Sequence, residues 1–110
     1  MKVLKFRDNL VPLVISGYKN STWRLFDDKD LAVGDEVELR EFNANKSFAK
    51  AVVTAIAERT FKELTDEDRK GHETFSSDKE MYKTYSDYYG VKVSPDTNLK
   101  IIWFELVKLL

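Results

Sequence analysis

Cysteine is absent from the 110-residue sequence, and histidine occurs once, as His72. Without cysteine there is neither a disulfide framework nor a thiol nucleophile, and one histidine excludes a metal site built from several histidines. No apolar run is long enough to cross a bilayer, and the first residues lack the pattern of a signal peptide. We therefore expect a cytoplasmic protein with no membrane partner, no metal and no cofactor.

An excess of charge of one sign is also missing. The chain has 18 Lys and Arg against 19 Asp and Glu, a net charge of −1. A protein that coats nucleic acid through bulk positive charge would be strongly basic, so this class is disfavoured, although a local basic patch is compatible with these counts. The length suits one domain with one hydrophobic core.

Apolar and alternating runs predict five strands, and three amphipathic or capped segments predict helices. The strands are expected at Lys2–Phe6, 22–26, 36–42, 48–57 and 99–107, with a solvated acidic loop at 27–30. Their short connections favour antiparallel pairing, and 36–42 with 48–57 should form a hairpin.

The helices are expected at 9–16, 63–70 and 77–89. Pro12 falls in the first turn of the first helix, and Ser77 opens the last one with a capping box. Gly17 and Gly90 suit the left-handed residue that ends a helix. The elements together predict an α+β fold, with a small barrel-like antiparallel sheet flanked by short helices.

Residues 17–24, which read GYKNSTWR, concentrate reactive and charged groups. In the predicted strand Thr22 and Arg24 share one face, and Lys19 approaches them from the preceding turn. A guanidinium fork suits a phosphate or the edge of a base, and a lysine with a lowered pKa can take the proton of a hydroxyl nucleophile. The alternatives are a solvated Lys19 and a structural salt bridge of Arg24. The acids available for that bridge are Asp35, Glu36 and Glu73.

Four stretches, taken in order, resemble an ASCH domain of the PUA-like superfamily. Residues 17–24 are similar to the motif G-x-K-x-x-[TE]-x-R, and 31–35 to L-x-x-G-D before a strand. The other two are 64–73, leading to the helix that ends Tyr88-Tyr89-Gly90, and the closing strand 101–105. The resemblance covers nearly the whole chain and predicts a single ASCH domain over residues 1–110.

The resemblance implies a PUA-like antiparallel β-barrel flanked by short helices, with a cleft beside the Lys19 loop. It implies binding of RNA or a modified nucleoside by that loop. The residues implied are Lys19, Asn20, Ser21, Thr22 and Arg24.

The chain also resembles small ASCH proteins that act as metal-independent amidohydrolases on acetylated cytidine. That likeness implies catalytic roles for Lys19, Thr22 and Glu73, although Asn20 stands where their motif usually has Thr. Glu73 would be the general acid or base, with a pKa raised by burial. The alternative is a surface carboxylate near a helix start. Another small ASCH protein is described as a ribonuclease.

Three functions are therefore open: binding of RNA or a modified nucleoside, hydrolysis, and a regulatory module whose cleft binds a small ligand or a protein. The near-neutral charge favours a single nucleoside or a short single strand. His72 is expected to be structural, and the tyrosines of 77–89 mostly core, with Tyr18 or Tyr82 facing outward. The oligomeric state is not set by the sequence.

Overall fold

The computed structural model describes residues 1–26 and 29–110, so Asp27 and Asp28 of the predicted acidic loop lie outside the described residues. The described strands are β1 Lys2–Phe6, β2 Ser21–Arg24, β3 Glu36–Glu41, β4 Ser47–Thr60 and β5 Asn98–Leu109. The α-helices are α1 Val11–Ile15, α2 Asp66–Arg69 and α3 Asp78–Tyr89, with 3₁₀ turns at Asp8–Leu10 and Phe61–Glu63. Among these residues, no helix is long and apolar enough to cross a membrane.

The five strands form one curled sheet in the order β1-β3-β4-β5-β2, which makes a half-barrel with β1 and β2 at its edges. β3–β4, the predicted hairpin, pairs antiparallel, as do β4–β5 and β5–β2. The prediction of a wholly antiparallel sheet is wrong at one place, because β1 pairs with β3 in parallel. The prediction assumed that strands joined by short connections pair with each other. The chain between β1 and β3 passes through α1 and β2, however, and is long enough for a parallel crossover.

The main core contains residues of β1, β3, β4 and β5. Leu4 and Phe6 of β1 and Val37 and Leu39 of β3 alternate into it, as period-two patterning requires. Val14 of α1 closes the same cluster. A second core forms where Met81 and Tyr85 of α3 pack on the sheet; its other buried members are Trp23, Phe61, Val93, Leu99 and Ile101. Burial of the second cluster fixes the position of α3 beside β2.

The helix signals in the sequence are confirmed, with shorter helices than expected at two places. The Ser77 hydroxyl accepts a hydrogen bond from the Glu80 amide, and Gly90 ends α3 with φ +66°. Thr65 caps α2 in the same way through the Asp68 amide. The expected helix at 9–16 is a 3₁₀ turn followed by α1.

The loop after α2 is tied to the start of β2 through Gly71. The Gly71 carbonyl accepts hydrogen bonds from the amides of Asn20 (2.9 Å) and Ser21 (3.2 Å). Gly71 has φ +73°, and a Cβ placed there would lie 1.8 Å from Asn20 Oδ1. The close approach therefore requires glycine, and it delivers the next two residues, His72 and Glu73, to the edge of the sheet.

A pair of glycine substitutions measures this contact. Gly71→Ala and Gly90→Ala both force alanine into a left-handed conformation, but a Cβ at Gly90 meets no atom within 4 Å. We expect Gly90→Ala to lower the unfolding free energy by about 1 kcal/mol through backbone strain alone, and Gly71→Ala to cost clearly more. Urea unfolding of both variants gives the comparison. Equal losses of unfolding free energy would show that the Asn20 side chain moves aside at no cost and that its contact with Gly71 does not hold the loop.

Candidate functional site

A cleft of about 570 Å³ runs between the two free edges of the half-barrel. The cleft is lined by residues 3–6 of β1, by Arg7 directly after it, and by residues 22–24 of β2. Consecutive residues take part because the cleft follows the edges of these strands rather than one face. Tyr85, Tyr88 and Tyr89 of α3 cover one side. The unclosed sheet thus supplies a concave site of ordinary ligand size.

Arg24 spans the gap between these edges. Its Nη2 donates to the backbone oxygen of Lys5 in β1 at 2.9 Å, and its Nε donates to Thr22 Oγ1 at 3.0 Å. The guanidinium also lies 5.4 Å from the centroid of the Phe6 ring. Thr22 and Arg24 therefore share the cleft side of β2, as the alternation predicted. The Thr22 oxygen accepts from Arg24, which leaves its O–H hydrogen to donate.

Lys19 is buried, with 2% of its surface exposed, and its Nζ donates to Glu73 Oε2 in an ion pair. The alternative that Lys19 is a solvated loop lysine is therefore wrong. Its amide bonds the Leu13 carbonyl at 2.9 Å, so the end of α1 sets its position. A buried ammonium is costly unless it is paired, and Glu73 meets that requirement from the loop tied down at Gly71.

The pKa values of Lys19 and Glu73 are both lowered, for different reasons. Burial lowers the pKa of the Lys19 ammonium, and the Glu73 carboxylate opposes this only in part. Burial alone raises the pKa of Glu73, but the charge of Lys19 and the hydrogen bond from its ammonium bring it below its ordinary value. The expectation of a Glu73 pKa raised by burial is therefore wrong, and Glu73 is a carboxylate at neutral pH.

His72 is a structural residue, as expected. Its ring stacks on Trp23 with centroids 3.7 Å apart, its Nε2 lies 2.9 Å from the Tyr85 hydroxyl, and its Nδ1 lies 2.8 Å from the Glu73 backbone oxygen. Burial, followed by the charge of Lys19, lowers the pKa of His72 to about 4, so the ring is neutral at pH 7. Since a carbonyl can only accept, the neutral ring donates from Nδ1 and accepts from Tyr85.

Basic side chains outnumber acids in the lining of the cleft, and two of them are in ion pairs, Lys19 with Glu73 and Arg40 with Glu38 at 3.2 Å. Among the described residues, six basic side chains line the cleft against one acid, Glu73. The basic residues are Lys5, Arg7, Lys19, Arg24, Lys29 and Arg40. A chain of net charge −1 thus concentrates positive charge in one concave place, where low-dielectric walls focus the field on an anion.

Two of the predicted ligand-binding residues lie elsewhere. Asn20 and Ser21 are outside the lining of the cleft and contact Gly71 instead, through their amides and through the Ser21 hydroxyl at 3.3 Å from its oxygen. Their backbone is committed to holding the loop. Tyr18 faces outward as expected, and Tyr82 is partly buried against Phe61.

Sequence reasoning missed a second group at the cleft. The guanidinium of Arg7 lies 4.1 Å from the centroid of the Phe42 ring and 4.7 Å from that of Tyr88, and all three residues line the cleft. They come from the end of β1, the end of β3 and the last turn of α3. No local pattern links them, because the parallel pairing of β1 with β3 brings the first two together.

Solved structures share this fold. A DUF984-family protein from Enterococcus faecalis has a TM-score of 0.81 at 18% identity, over 99% of this chain and 81% of that one. An ASCH domain from Lactobacillus crispatus has a TM-score of 0.71 at 12% identity, over 96% of this chain and 80% of that one. ASCH from Zymomonas mobilis has a TM-score of 0.65 at 14% identity, over 98% of this chain and 71% of that one. No family model and no curated protein matches the sequence. The resemblance to ASCH domains is confirmed at the level of the fold.

Stability between pH 7 and pH 5 tests the neutral state of His72. As the pH falls, the unfolded chain takes up this proton near pKa 6.5, whereas the folded protein does so only at about 4. The folded state should therefore lose about 2 kcal/mol of unfolding free energy across this window, in which carboxylates contribute little. Urea unfolding at several pH values measures the slope.

The control for this measurement is His72→Gln, which removes the titrating ring. Its overall stability falls because the Trp23 stack is lost, but its unfolding free energy should be nearly flat from pH 7 to pH 5. A variant that kept the wild-type slope would assign the pH dependence to another group.

Proposed function

We propose that this chain, which has the fold of the ASCH domains, binds a nucleotide or a short single strand of RNA in the cleft between β1 and β2. The observation that carries the proposal is the lining of six basic residues against one acid among the described residues. A neutral nucleoside would make little use of these charges, whereas each phosphate is attracted by them. The likeness to ASCH structures supports the same proposal through the family resemblance.

The geometry also suits such a ligand. The Arg24 guanidinium lies in the gap, where its charge attracts a phosphate while its Nε and Nη2 hold Thr22 and Lys5. Tyrosine rings of α3 form one wall, and aromatic rings stack the splayed bases of single-stranded RNA. A cleft of about 570 Å³ holds one or two nucleotide units rather than a duplex.

Charge-removing variants test this proposal. We expect Arg24→Gln and Arg40→Gln each to weaken binding of a fluorescein-labelled RNA hexanucleotide several-fold, and to reduce the slope of log affinity against log salt by up to about 0.7 per lost phosphate contact. Fluorescence anisotropy at several KCl concentrations measures both effects.

Lys79→Gln is the matched control, because Lys79 is an exposed cation on α3 that does not line the cleft. It should bind RNA like the wild type. A loss equal to that of Arg24→Gln would indicate diffuse electrostatic attraction and reject a defined site. Cleavage of the RNA during the titration would instead assign the ribonuclease activity.

A second candidate is the hydrolysis of an acylated cytidine, favoured by the grouping of Lys19, Thr22 and Glu73 in the one cleft. The Thr22 oxygen would attack the acyl carbon and pass its proton to the neutral Lys19 amine. Lys19 would then return that proton to the leaving amine, and water would release the acyl group from Thr22. The lowered pKa of Lys19 raises the fraction of neutral amine, and Glu73 positions it.

Turnover of acetylated cytidine, followed by chromatography of the released cytidine, tests this chemistry. Thr22→Val keeps the shape of the side chain and should abolish turnover while far-ultraviolet circular dichroism is unchanged. Ser21→Ala removes a neighbouring hydroxyl that faces Gly71 and should keep turnover. A wild-type protein without turnover would reject the enzyme and leave the binding proposal unaffected.

A further inference from the structure

We propose that Phe42 and Tyr88 form a stacking slot for a nucleobase at the rim of the cleft, and that the Arg7 guanidinium fills this slot in the empty protein. The inference rests on the proposed nucleotide binding and specifies where the base goes. It is independent of the Lys19, Thr22 and Glu73 group.

The slot is built by fixed parts of the fold. β1 and β3 run parallel with Phe6 opposite Glu41, and the Phe42 amide donates to the Phe6 carbonyl at 2.8 Å. This register places Arg7 beside Phe42. On the other side, Tyr88 is held on α3, and its ring packs edge-on against Tyr85 with centroids 5.7 Å apart. The two rings therefore have defined positions before a ligand arrives.

The exposure of these rings is a reason to look for a ligand. Phe42 is 44% exposed and Tyr88 is 37% exposed, although both line a cleft. Between them lies a flat cation, 4.1 Å from one ring centroid and 4.7 Å from the other. A nucleobase is also flat and stacks on the faces of aromatic rings, so it suits the same two rings that hold the guanidinium.

Charge complementarity identifies the ligand as a base that carries phosphate. The slot opens onto the lining that includes Arg24 and Arg40, and Arg7 itself becomes available to a phosphate once a base displaces it. A base between two rings, with its phosphate among cations, is the arrangement by which proteins hold unstacked nucleotides.

The experiment compares two ligands of equal charge type, cytidine 5′-monophosphate and ribose 5-phosphate, by NMR titration. We expect Phe42→Leu and Tyr88→Leu each to weaken the binding of cytidine monophosphate by about fivefold or more. The affinity for ribose 5-phosphate should change by less than about twofold, since this ligand has no base to stack. Tyr88→Phe keeps the ring and should bind like the wild type. Tyr18→Leu removes an exposed ring away from the cleft and is the control.

The ligand's own spectrum gives a readout that a merely structural role would not move. Stacking between two rings should shift the cytosine H5 and H6 resonances upfield in the wild type, and the shift should disappear in Phe42→Leu. Equal weakening of both ligands, or unchanged cytidine monophosphate binding, would overturn the slot while leaving the cationic cleft in place. A wild type that binds neither ligand would reject the proposed function and the slot together.

Discussion

The buried ion pair between Lys19 and Glu73 is the constraint on which the cleft depends. Lys19 is only 2% exposed, so its ammonium needs a partner of opposite charge. Removal of either member of the pair leaves an uncompensated buried charge. Meeting that need brings the loop after α2 onto the start of β2, where Gly71 packs against Asn20. The same loop carries His72 into its stack on Trp23, a residue that lines the cleft, so one electrostatic requirement also supports the β2 side of the site.

The second feature is that, within residues 1–26 and 29–110, no strand pairing joins β1 to β2. In the half-barrel the edges of β1 and β2 face each other, and the Arg24 side chain, rather than a ladder of backbone bonds, crosses between them. Exposed edges usually have to be protected from pairing with other chains. Here cations and aromatic rings line the gap, so the space between the two edges is a concave site that attracts anions.

Local patterns in the sequence predicted much of this. Alternation identified the β3–β4 hairpin, caps identified α3, and period-two spacing put Thr22 and Arg24 on one side. Glu73 entered through the family resemblance alone, because its partner is far away in the chain. The parallel pairing of β1 was missed since neither strand encodes its neighbour, and the grouping of Arg7 with Phe42 was missed with it. The family resemblance implied Asn20 as a ligand-binding residue, yet its backbone amide donates to the Gly71 carbonyl.

The central claim is that an anionic ligand binds in the gap between the two sheet edges. The most direct measurement is a two-dimensional ¹H–¹⁵N NMR titration of the wild-type protein with a short single-stranded RNA. We expect the largest shifts on the amides of residues 3–7, 22–24 and 72–73, with the far end of β5 unchanged. Shifts centred on residues 107–109, or small shifts spread evenly over the surface, would contradict it.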